Sequence, residues 1–301
     1  MAEFRAGLVA VVGRPNVGKS TLINHFVGQK VSIVSDKPQT TRKRALGIAT
    51  TDSFQLVFVD TPGIHLAHHR LGKVLNETAR QSVADVDLIL IVVDASRSPT
   101  KEDEEVAKVL QTSGYFDDSN TVPKLLCMNK MDLLKAEAVQ RNFDAYTKLF
   151  RTEDTVMTSL TKEQNADILL GEILQRIPEG PPLYPTDEFT DQSSRFLVAE
   201  LVREKALHLT HREVPHAIAT SVDQWEEEPG LIHIGVTILV EREGQKAIII
   251  GKRGSMLKEI GTRARAEIEA MLETKVFLEL FVKVRDEWRA NPRILKELDY
   301  M

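Results

Sequence analysis

From residue 7 to residue 177, short apolar runs alternate with amphipathic segments. The apolar runs predict strands at 7–12, 46–51, 54–59, 87–93, 122–128 and 155–159. Apolar positions at helical spacing predict helices near 19–28, 73–83, 101–112, 137–150 and 165–177. This alternation predicts βαβ units that form a mostly parallel sheet with helices on both faces. A short polar turn joins the second and third runs, which are therefore expected to pair as an antiparallel hairpin.

A proline-rich stretch separates this region from a second pattern. Four of the 12 prolines lie in 178–185, and a polar run follows to residue 194, which predicts a stiff linker. Beyond it we expect a smaller α+β domain, with helices at 196–209 and 255–272 and strands at 216–224, 231–242 and 276–284. The apolar run 247–250 is interpreted as a strand end, and the acidic run 226–228 as a hairpin loop. The expected division is a first domain at 1–178, a linker at 179–194, a second domain at 195–285 and a tail at 286–301.

Composition narrows the class of protein only a little. The 301 residues are 42% hydrophobic and 28% charged, with a net charge of −5, as in an ordinary soluble protein. The single cysteine, Cys127, excludes an internal disulfide and fits a reducing compartment. No apolar stretch approaches the roughly 18–20 residues that span a bilayer, and no signal peptide is apparent. We therefore expect a cytoplasmic monomer.

The segment between the first strand and the first helix matches the complete phosphate-loop pattern GxxxxGK[ST]. Backbone N–H groups in such a loop form an anion-binding nest at a helix N-terminus. Lys19 is expected to reach the β- and γ-phosphates, and the Ser20 hydroxyl to bind Mg²⁺. A glycine turn with a solvated lysine is the alternative, which the strand–loop–helix context disfavours. The expected nucleotide-binding residues here are Gly13, Arg14, Pro15, Asn16, Val17, Gly18, Lys19, Ser20 and Thr21.

A second motif, Asp60-Thr61-Pro62-Gly63, ends the third predicted strand. At that place Asp60 is expected to join the Mg²⁺ shell, and the Gly63 N–H to contact a γ-phosphate. The pattern D-x-x-G alone is equally consistent with a turn. Its position some 40 residues after the phosphate loop makes it indicative of a nucleotide site.

A third motif, Asn129-Lys130-Met131-Asp132, follows the buried run at 122–128. Guanine presents N1–H and N2–H₂ side by side, and the Asp132 carboxylate can accept from both, whereas adenine offers an acceptor there. Asn129 is expected to reach the O6/N7 edge or to tie the loop to Gly13, and the Lys130 stem to pack along the base. The alternative is a helix N-cap. Ser159 and Leu160, after the strand Thr155–Thr158, are expected to close over the guanine.

A polar segment without periodicity, residues 35–44, lies between the first two motifs. One threonine there is expected to contact Mg²⁺ and the γ-phosphate, so that the segment is ordered only with GTP. Thr41 is preferred over Thr40. The Arg and Lys residues that follow are interpreted as a solvated or RNA-facing patch rather than as a catalytic arginine finger. The expected metal-binding residues are therefore Ser20, Thr41 and Asp60.

The second domain carries the pattern G-x-x-G before a predicted helix. In KH modules this loop clamps the backbone of unpaired nucleotides, although any turn at a helix start supplies the same pattern. Residues 245–265 contain six basic residues and one acidic residue, a net of +5, within a region, 195–301, that carries 17 basic and 18 acidic residues. This focused charge favours contact with phosphates over a merely solvated face. The expected RNA-binding residues are Gly251, Lys252, Arg253, Gly254 and Lys258.

The order of these motifs resembles the translation-factor-like GTPases and, among them, the Era family of ribosome-associated GTPases. The resemblance rests on the sequences GRPNVGKST, PQTTR, DTPG and NKMD and on the second domain, and it covers nearly the whole chain. It implies a P-loop G domain followed by a type II KH domain, with GTP and GDP as ligands. It also implies binding to the 3′ end of 16S ribosomal RNA in maturation of the small (30S) ribosomal subunit, and leaves open a peripheral association with the inner face of the membrane. One departure is Leu160, because the family usually has Ser-Ala-x where this chain has Ser159-Leu160-Thr161.

Ile64 follows the second motif, at the position where Ras-like enzymes carry a glutamine that orients water. An isoleucine side chain cannot hydrogen-bond to water, so another group must position the nucleophile. The resemblance implies a K⁺ ion held by Asn16 and loop carbonyls. The expected catalytic residues are Lys19, Thr41, Gly63 and Asn16, whereas His65, His68 and His69 are interpreted as loop residues rather than as a general base.

Two other classes of function remain open from the sequence. The first is a signalling or membrane-associated switch whose second domain binds a protein or anionic lipid, since a basic patch also fits anionic headgroups. The second is an ATP-dependent transferase or kinase, which the guanine-reading motif at 129–132 disfavours.

Overall fold

The chain forms two compact units in the computed structural model, which describes residues 3–37, 40–64, 70–82, 85–117 and 119–300. The first unit comprises Met1–Ser32, Thr41–His68 and Gly72–Asp191. The second comprises Ile33–Thr40, His69–Leu71 and Gln192–Met301. Two short segments from the amino-terminal part of the sequence thus belong to the second unit.

The described part of the first unit contains a six-stranded sheet with the order β2-β3-β1-β4-β5-β6. All neighbouring strands are parallel except β2 and β3, which form the antiparallel hairpin expected from the sequence. The strands are β1 (Arg5–Val12), β2 (Ala45–Thr50), β3 (Phe54–Asp60), β4 (Leu88–Asp94), β5 (Lys124–Asn129) and β6 (Thr155–Met157). The predicted α/β class is confirmed.

Helices cover both faces of this sheet. They are α1 (Lys19–Val27), α2 (Arg70–Gln81), α3 (Lys101–Thr112), α4 (Val139–Phe150) and α5 (Ala166–Arg176). Alternate residues of β1 enter different cores: Val9 and Val11 pack in the core that contains residues of α1 and α5. Ala10 and Val12 pack in the core that contains residues of α3 and α4. Burial on both faces explains why the central strands are apolar without interruption.

The parallel strands bring the first unit's three motifs to one edge of the sheet. The phosphate loop follows β1, Asp60 ends β3 and Asn129 ends β5. The strand register sets Val11 beside Asp60 and Asp94 beside Asn129. Ligands of open α/β sheets bind outside the carboxyl ends of the strands, so this edge is where a nucleotide is expected.

The proline-rich segment packs against the outer strand of the first unit. The Ile48 N–H donates to the Phe189 carbonyl at 2.8 Å, and the Leu46 N–H donates to Asp191 Oδ1 at 2.8 Å. The buried Gln55 side chain accepts from Leu183 N and Tyr184 N at 2.7 and 2.8 Å and donates to the Tyr184 carbonyl at 2.9 Å. The segment therefore covers the edge of β2, which would otherwise expose unpaired backbone groups.

The second unit combines a three-stranded sheet with helices and has its own apolar core. The strands have the order β7-β8-β9, with β7 antiparallel and β9 parallel to β8. The elements in chain order are α6 (Ser194–Leu209), β7 (Ala219–Glu228), β8 (Leu231–Val240), α7 (Glu243–Ile250), α8 (Ser255–Leu272), β9 (Lys275–Val284) and α9 (Pro292–Glu297).

Two local predictions in the second unit are wrong. The apolar run 247–250 belongs to helix α7, because the Gln245 side chain accepts from the N–H of Arg242 at the helix start and only one face of the helix is buried. Ile249 is fully buried, whereas Ile248 is 49% exposed. The acidic run 226–228 is not a loop but the end of β7, where it pairs with the start of β8.

Candidate functional site

The phosphate loop curls around the amine of Lys19. Lys19 Nζ donates to the Gly13 carbonyl at 2.9 Å and to the Arg14 carbonyl at 3.0 Å. Burial lowers the pKa of Lys19 to about 8, although the nearby Asp60 carboxylate opposes this shift. The amine thus lies where a helix N-terminus and backbone N–H groups already favour an anion.

Three oxygen-bearing side chains meet beside this loop. The Ser20 and Thr41 hydroxyls are 3.0 Å apart, and they donate to Asp60 Oδ2 at 3.3 and 3.2 Å. Ser32 also donates to Asp60 Oδ2, at 2.8 Å. The Thr40 hydroxyl instead donates to the Lys37 carbonyl at 2.7 Å. Of the two threonines weighed from the sequence, Thr41 is therefore the one that faces Ser20 and Asp60.

Asp60 has the features of a carboxylate that can receive a cation. The residue is fully buried, and its Oδ1 has no hydrogen-bond partner among the described residues. Burial raises the pKa of Asp60, against the charge of Lys19 and the three hydroxyl donors. Hydroxyl and carboxylate oxygens are ligands that Mg²⁺ accepts, and Mg²⁺ often completes its shell with phosphates and water. The donor set fits Mg²⁺ with a bound nucleotide.

The second motif lies against the phosphate loop. A Cβ atom on Gly63 would come within 2.8 Å of Pro15 N and 2.9 Å of Pro15 Cα, so only glycine permits this approach. The Thr61 hydroxyl donates to the Val11 carbonyl at 2.8 Å and fixes the motif to β1. Ile64 is 1% exposed and packs in the core. Its side chain therefore points away from the site and has no polar atom to offer a water molecule. His65, His68 and His69 lie outside the described residues.

The third motif is tied to the phosphate loop by its first two side chains. Asn129 Nδ2 donates to the Val17 carbonyl at 2.8 Å, and Lys130 Nζ donates to the Asn16 carbonyl at 2.6 Å. A Cβ atom on Gly18 would collide with Asn129 Nδ2, so the two loops touch because residue 18 is glycine. Of the two roles weighed for Asn129, the structure has the tie between the loops, but the partner is Val17 rather than Gly13.

The base-reading carboxylate is accessible and oriented. Asp132 is exposed, and its Oδ1 accepts from Ser159 Oγ at 2.6 Å. The Leu160 N–H donates to Asn129 Oδ1 at 3.2 Å, while the Leu160 side chain enters the core. The departure at Leu160 therefore keeps the loop's backbone contact and directs the larger side chain into the interior.

The second unit contains a groove beside the G-x-x-G loop. Its volume is about 450 Å³, and it is lined by Gly254, Leu257, Lys258, Gly261, Thr262, Arg265, Leu278 and Leu280. The floor is apolar, and Lys258 and Arg265 supply positive charge. Lys252 and Arg253 precede the groove and are exposed. The two tryptophans lie outside the lining: Trp288 is buried and donates to the Ala217 carbonyl at 2.8 Å, and the Trp225 ring is covered by Arg195.

Sequence reasoning missed two polar residues near the nucleotide loops. Ser32 reaches Asp60 from the segment after α1, where no motif marks it. Asp94 ends β4 and lies within 3.4 Å of Lys130 Nζ. The only sequence signal for Asp94 is a carboxylate that ends an apolar run, the same signal that identified Asp60.

Among the described residues, no helix is both long and apolar enough to cross a membrane.

A phosphate loop after β1, an aspartate at the end of β3 and an Asn-Lys-x-Asp loop after β5 define the class of P-loop GTPases. A family model described as a 50S ribosome-binding GTPase matches residues 8–130, and a KH-domain model matches residues 213–289. GTPase Era of Geobacter sp. (strain M21) is 48% identical over 299 residues, which are 99% of this chain and 98% of that protein. GTPase Era of Syntrophus aciditrophicus (strain SB) is 45% identical over 299 residues, 99% of this chain and 95% of that protein. The chain belongs to the GTPase Era family, and the predicted GTPase activity and KH domain are confirmed.

Two solved structures of Era are similar to this chain over 99% of its length. A structure of Era in complex with MgGDPNP and nucleotides 1506–1542 of 16S ribosomal RNA has a TM-score of 0.91 and is 41% identical, with 99% of both chains covered. A variant of Aquifex aeolicus Era bound to GDP.AlF4⁻ also has a TM-score of 0.91, 41% identity and 99% coverage of both chains.

Proposed function

We propose that this GTPase couples its guanine-nucleotide state to binding of single-stranded RNA at the 3′ end of 16S ribosomal RNA, and acts in maturation of the small ribosomal subunit. The observation that carries the proposal is the similarity over 99% of the chain to Era in its complex with MgGDPNP and nucleotides 1506–1542 of that RNA. The basic groove beside the G-x-x-G loop supports the same reading.

The nucleotide is held at both ends by this chain's own groups. Lys19 and the backbone N–H groups at 13–20 bind the phosphates, and Gly63 contributes its N–H to the γ-phosphate. Ser20, Thr41 and Asp60 would hold Mg²⁺, which would neutralise charge on the phosphate oxygens. Asp132 accepts from guanine N1–H and N2–H₂, with Ser159 fixing its orientation. Thr61, Pro62, Met131 and Leu160 complete the loops around these groups.

Hydrolysis depends on positioning, because Ile64 has no polar atom with which to orient water. Asn16, in the phosphate loop, is the residue that would hold K⁺ together with loop carbonyls. We expect faster GTP hydrolysis in K⁺ than in Na⁺, and loss of that difference in Asn16→Asp. Equal rates of the unmodified protein in the two salts would remove this part of the proposal.

RNA is held in the second unit by shape and charge. The apolar floor of the groove, which includes Leu278 and Leu280, accepts bases, while Lys252, Arg253 and Lys258 contact phosphates. Gly251 and Gly254 allow the backbone of the loop to approach the RNA closely. Binding through a few phosphate contacts falls with rising salt.

The test is binding to an RNA fragment of the 16S 3′ end, measured with GDP and with a non-hydrolysable GTP analogue. Lys258→Glu is expected to weaken binding and to reduce the salt dependence by about one phosphate contact. Lys296→Glu makes the same charge change on an exposed residue of α9 and is the matched control. Equal RNA affinity of the two variants would contradict the groove assignment. Binding to anionic vesicles with no RNA binding would favour a membrane-associated switch instead.

A further inference from the structure

Asp94, at the end of β4, faces positive charge from both nucleotide loops. The residue is 2% exposed. Its Oδ2 lies 3.4 Å from Lys130 Nζ of the third motif and 3.5 Å from Arg14 Nη2 of the phosphate loop. The Arg97 Nε atom, on the more exposed side, is 3.3 Å away.

The two loop cations also bond to the loop that carries the phosphate site. Lys130 Nζ donates to the Asn16 carbonyl at 2.6 Å, and Arg14 Nη1 donates to the Pro15 carbonyl at 3.3 Å. The Ala95 N–H, next to Asp94, donates to the Asn129 carbonyl at 2.8 Å. One carboxylate thus lies at the junction of β4, the phosphate loop and the third motif.

Further groups fix Asp94 itself. Its Oδ1 accepts from Ser96 N at 3.1 Å and from Ser96 Oγ at 2.5 Å. The Tyr146 hydroxyl of α4 donates to the Asp94 carbonyl at 3.3 Å. Burial acts to raise the pKa of Asp94, but the Ser96 hydrogen bonds and the charges of Lys130 and Arg97 together hold it below the usual range. The carboxylate is therefore ionised at neutral pH.

Asp94 supplies one of only two carboxylates that face the cations of this junction among the described residues. Asp103 Oδ2 lies 3.2 Å from Arg14 Nε and also caps the start of α3. Arg14, Lys130 and Arg97 thus face the two carboxylates Asp94 and Asp103. Arg14 is buried and Lys130 is partly buried. A cation in such a place that loses a counter-charge is costly, so removing the Asp94 charge would displace Arg14 or Lys130 and the loop attached to it.

We propose that Asp94 is a positioning residue that fixes the phosphate loop and the third motif relative to each other, so that reading of the guanine base is coupled to the grip on the phosphates. The inference rests on the roles proposed above for Lys19 and Asp132. It adds that base selectivity depends on a residue on β4 that belongs to none of the sequence motifs.

The test compares Asp94→Asn with the unmodified protein in binding GTP and inosine triphosphate, which lacks the 2-amino group that Asp132 would accept from. The asparagine keeps the shape of the side chain and removes its charge. We expect Asp94→Asn to bind GTP more weakly. We also expect the ratio of the dissociation constant for inosine triphosphate to that for GTP to fall by about fivefold or more, since fivefold is the lower end of the usual coupling between two sites. A loss of fold stability alone would weaken both ligands equally and leave the ratio unchanged.

Asp87→Asn is the matched control, because Asp87 immediately precedes β4 and its carboxylate accepts from the Leu8 N–H at 2.8 Å, at the strand's other end. Its ratio is expected to equal that of the unmodified protein. Ser96→Ala removes the hydroxyl donor to Asp94 Oδ1 but keeps the backbone donor and the charge. It is expected to lower the ratio by a smaller factor and serves if Asp94→Asn does not fold. An unchanged ratio in every folded variant at 94 and 96 would overturn the inference. No preference for GTP over inosine triphosphate in the unmodified protein would instead refute the role of Asp132.

Discussion

At the scale of single residues, buried charge is concentrated where the nucleotide phosphates would lie. Burial lowers the pKa of Lys19 and raises the pKa of Asp60, so it disfavours the ionised form of both side chains. Their partners within the protein are mostly neutral carbonyls and hydroxyls. Groups of this kind are costly in the free protein and gain strongly from a ligand of complementary charge. The nucleotide and its cation are thus expected to relieve a cost that folding creates.

A pH dependence of GTP binding follows from Lys19. The free protein's amine has a pKa of about 8, and triphosphate binding requires the protonated form, so binding above pH 8 must take up a proton. We expect the dissociation constant for GTP to be flat below pH 8 and to rise by up to about tenfold per pH unit above it. Calorimetry in buffers of different ionisation enthalpy measures the proton uptake directly.

Lys19→Arg is the control, because arginine stays protonated throughout this range. Its affinity, whatever its value, should not depend on pH through this group. The same shift has the opposite sign for the stability of the nucleotide-free fold. From about pH 8 to 10.5 the unfolded chain keeps the proton that the folded chain has lost, so stability rises with pH over that window. A GTP affinity that is constant from pH 7 to pH 9.5 would contradict the prediction.

The two adjacent threonines provide a second residue-scale prediction. Thr41 contacts Ser20 and Asp60, whereas the Thr40 hydroxyl contacts the Lys37 carbonyl. Thr41→Ala is therefore expected to lower the GTP hydrolysis rate at saturating Mg²⁺ by about 100-fold, the usual order for one lost positioning group. Thr40→Ala should stay within about twofold of the unmodified protein. Single-turnover rates measure both, and similar losses in the two variants would show that the assignment is wrong.

Motif spacing predicted which side chains lie at the expected phosphate site, but not all of the contacts that support them. Ser20 and Asp60 were expected together because they follow parallel strands that end at one edge of the sheet. Thr41 was expected there because it lies in the polar segment between the two motifs. The sequence did not predict Ser32 or Asp94 as site residues. Each contacts the site through a side chain from a different element, and local sequence patterns do not indicate such contacts. Supporting contacts of this kind depend on tertiary structure, and they are the part of the site that a single sequence leaves open.

At the scale of elements, the segment 183–191 is bound to the first unit rather than being a free spacer. Gln55, on β3, holds it through three hydrogen bonds to the backbone of Leu183 and Tyr184. We expect Gln55→Leu, which keeps the side-chain size, to lower the free energy of unfolding by about 1–3 kcal/mol, because it leaves partly buried backbone groups unpaired. Urea unfolding measures the change, and limited proteolysis should find faster cleavage within 183–191.

Gln81→Leu makes the same substitution on an exposed position of α2 and is expected to change stability by less than about 0.5 kcal/mol. Equal stability of the two variants, with equal rates of cleavage, would mean that the segment is not held by Gln55.

Strands were predicted correctly where both faces of the sheet are buried. The prediction failed at 247–250, where the apolar run is short. The strands of the first unit contain long apolar runs that fit no other element. The run 247–250 is only four residues long, and four residues do not distinguish a period of 2 from a period of 3.6. Its helical start depends on the Gln245 contact with the backbone of Glu241 and Arg242. The contacts of the linker could not be predicted, because they join residues more than 120 positions apart.

At the scale of the whole molecule, local charge outweighs net charge. The chain carries a net charge of −5, yet residues 245–265 carry six basic residues and one acidic residue. Salt screens charges beyond about 8–10 Å, so a polyanion at the groove meets mainly the basic residues nearby. An acidic protein is therefore able to bind RNA at one surface while the rest of its surface discourages non-specific binding.

Coupling between nucleotide and RNA must be reciprocal if it exists. When the GTP analogue changes RNA affinity by some factor relative to nucleotide-free protein, RNA must change affinity for the analogue by the same factor, because the two binding free energies close one thermodynamic cycle. We expect a factor of about 5–150, the usual range for coupled sites. Titrations of analogue with and without saturating RNA, and of RNA with and without saturating analogue, give the two factors. Lys258→Glu, saturated with RNA at low salt, should keep the same factor, because its loss is in RNA contact rather than in coupling. If both factors equal one, the protein binds the two ligands independently, and the coupling proposed for this GTPase is absent.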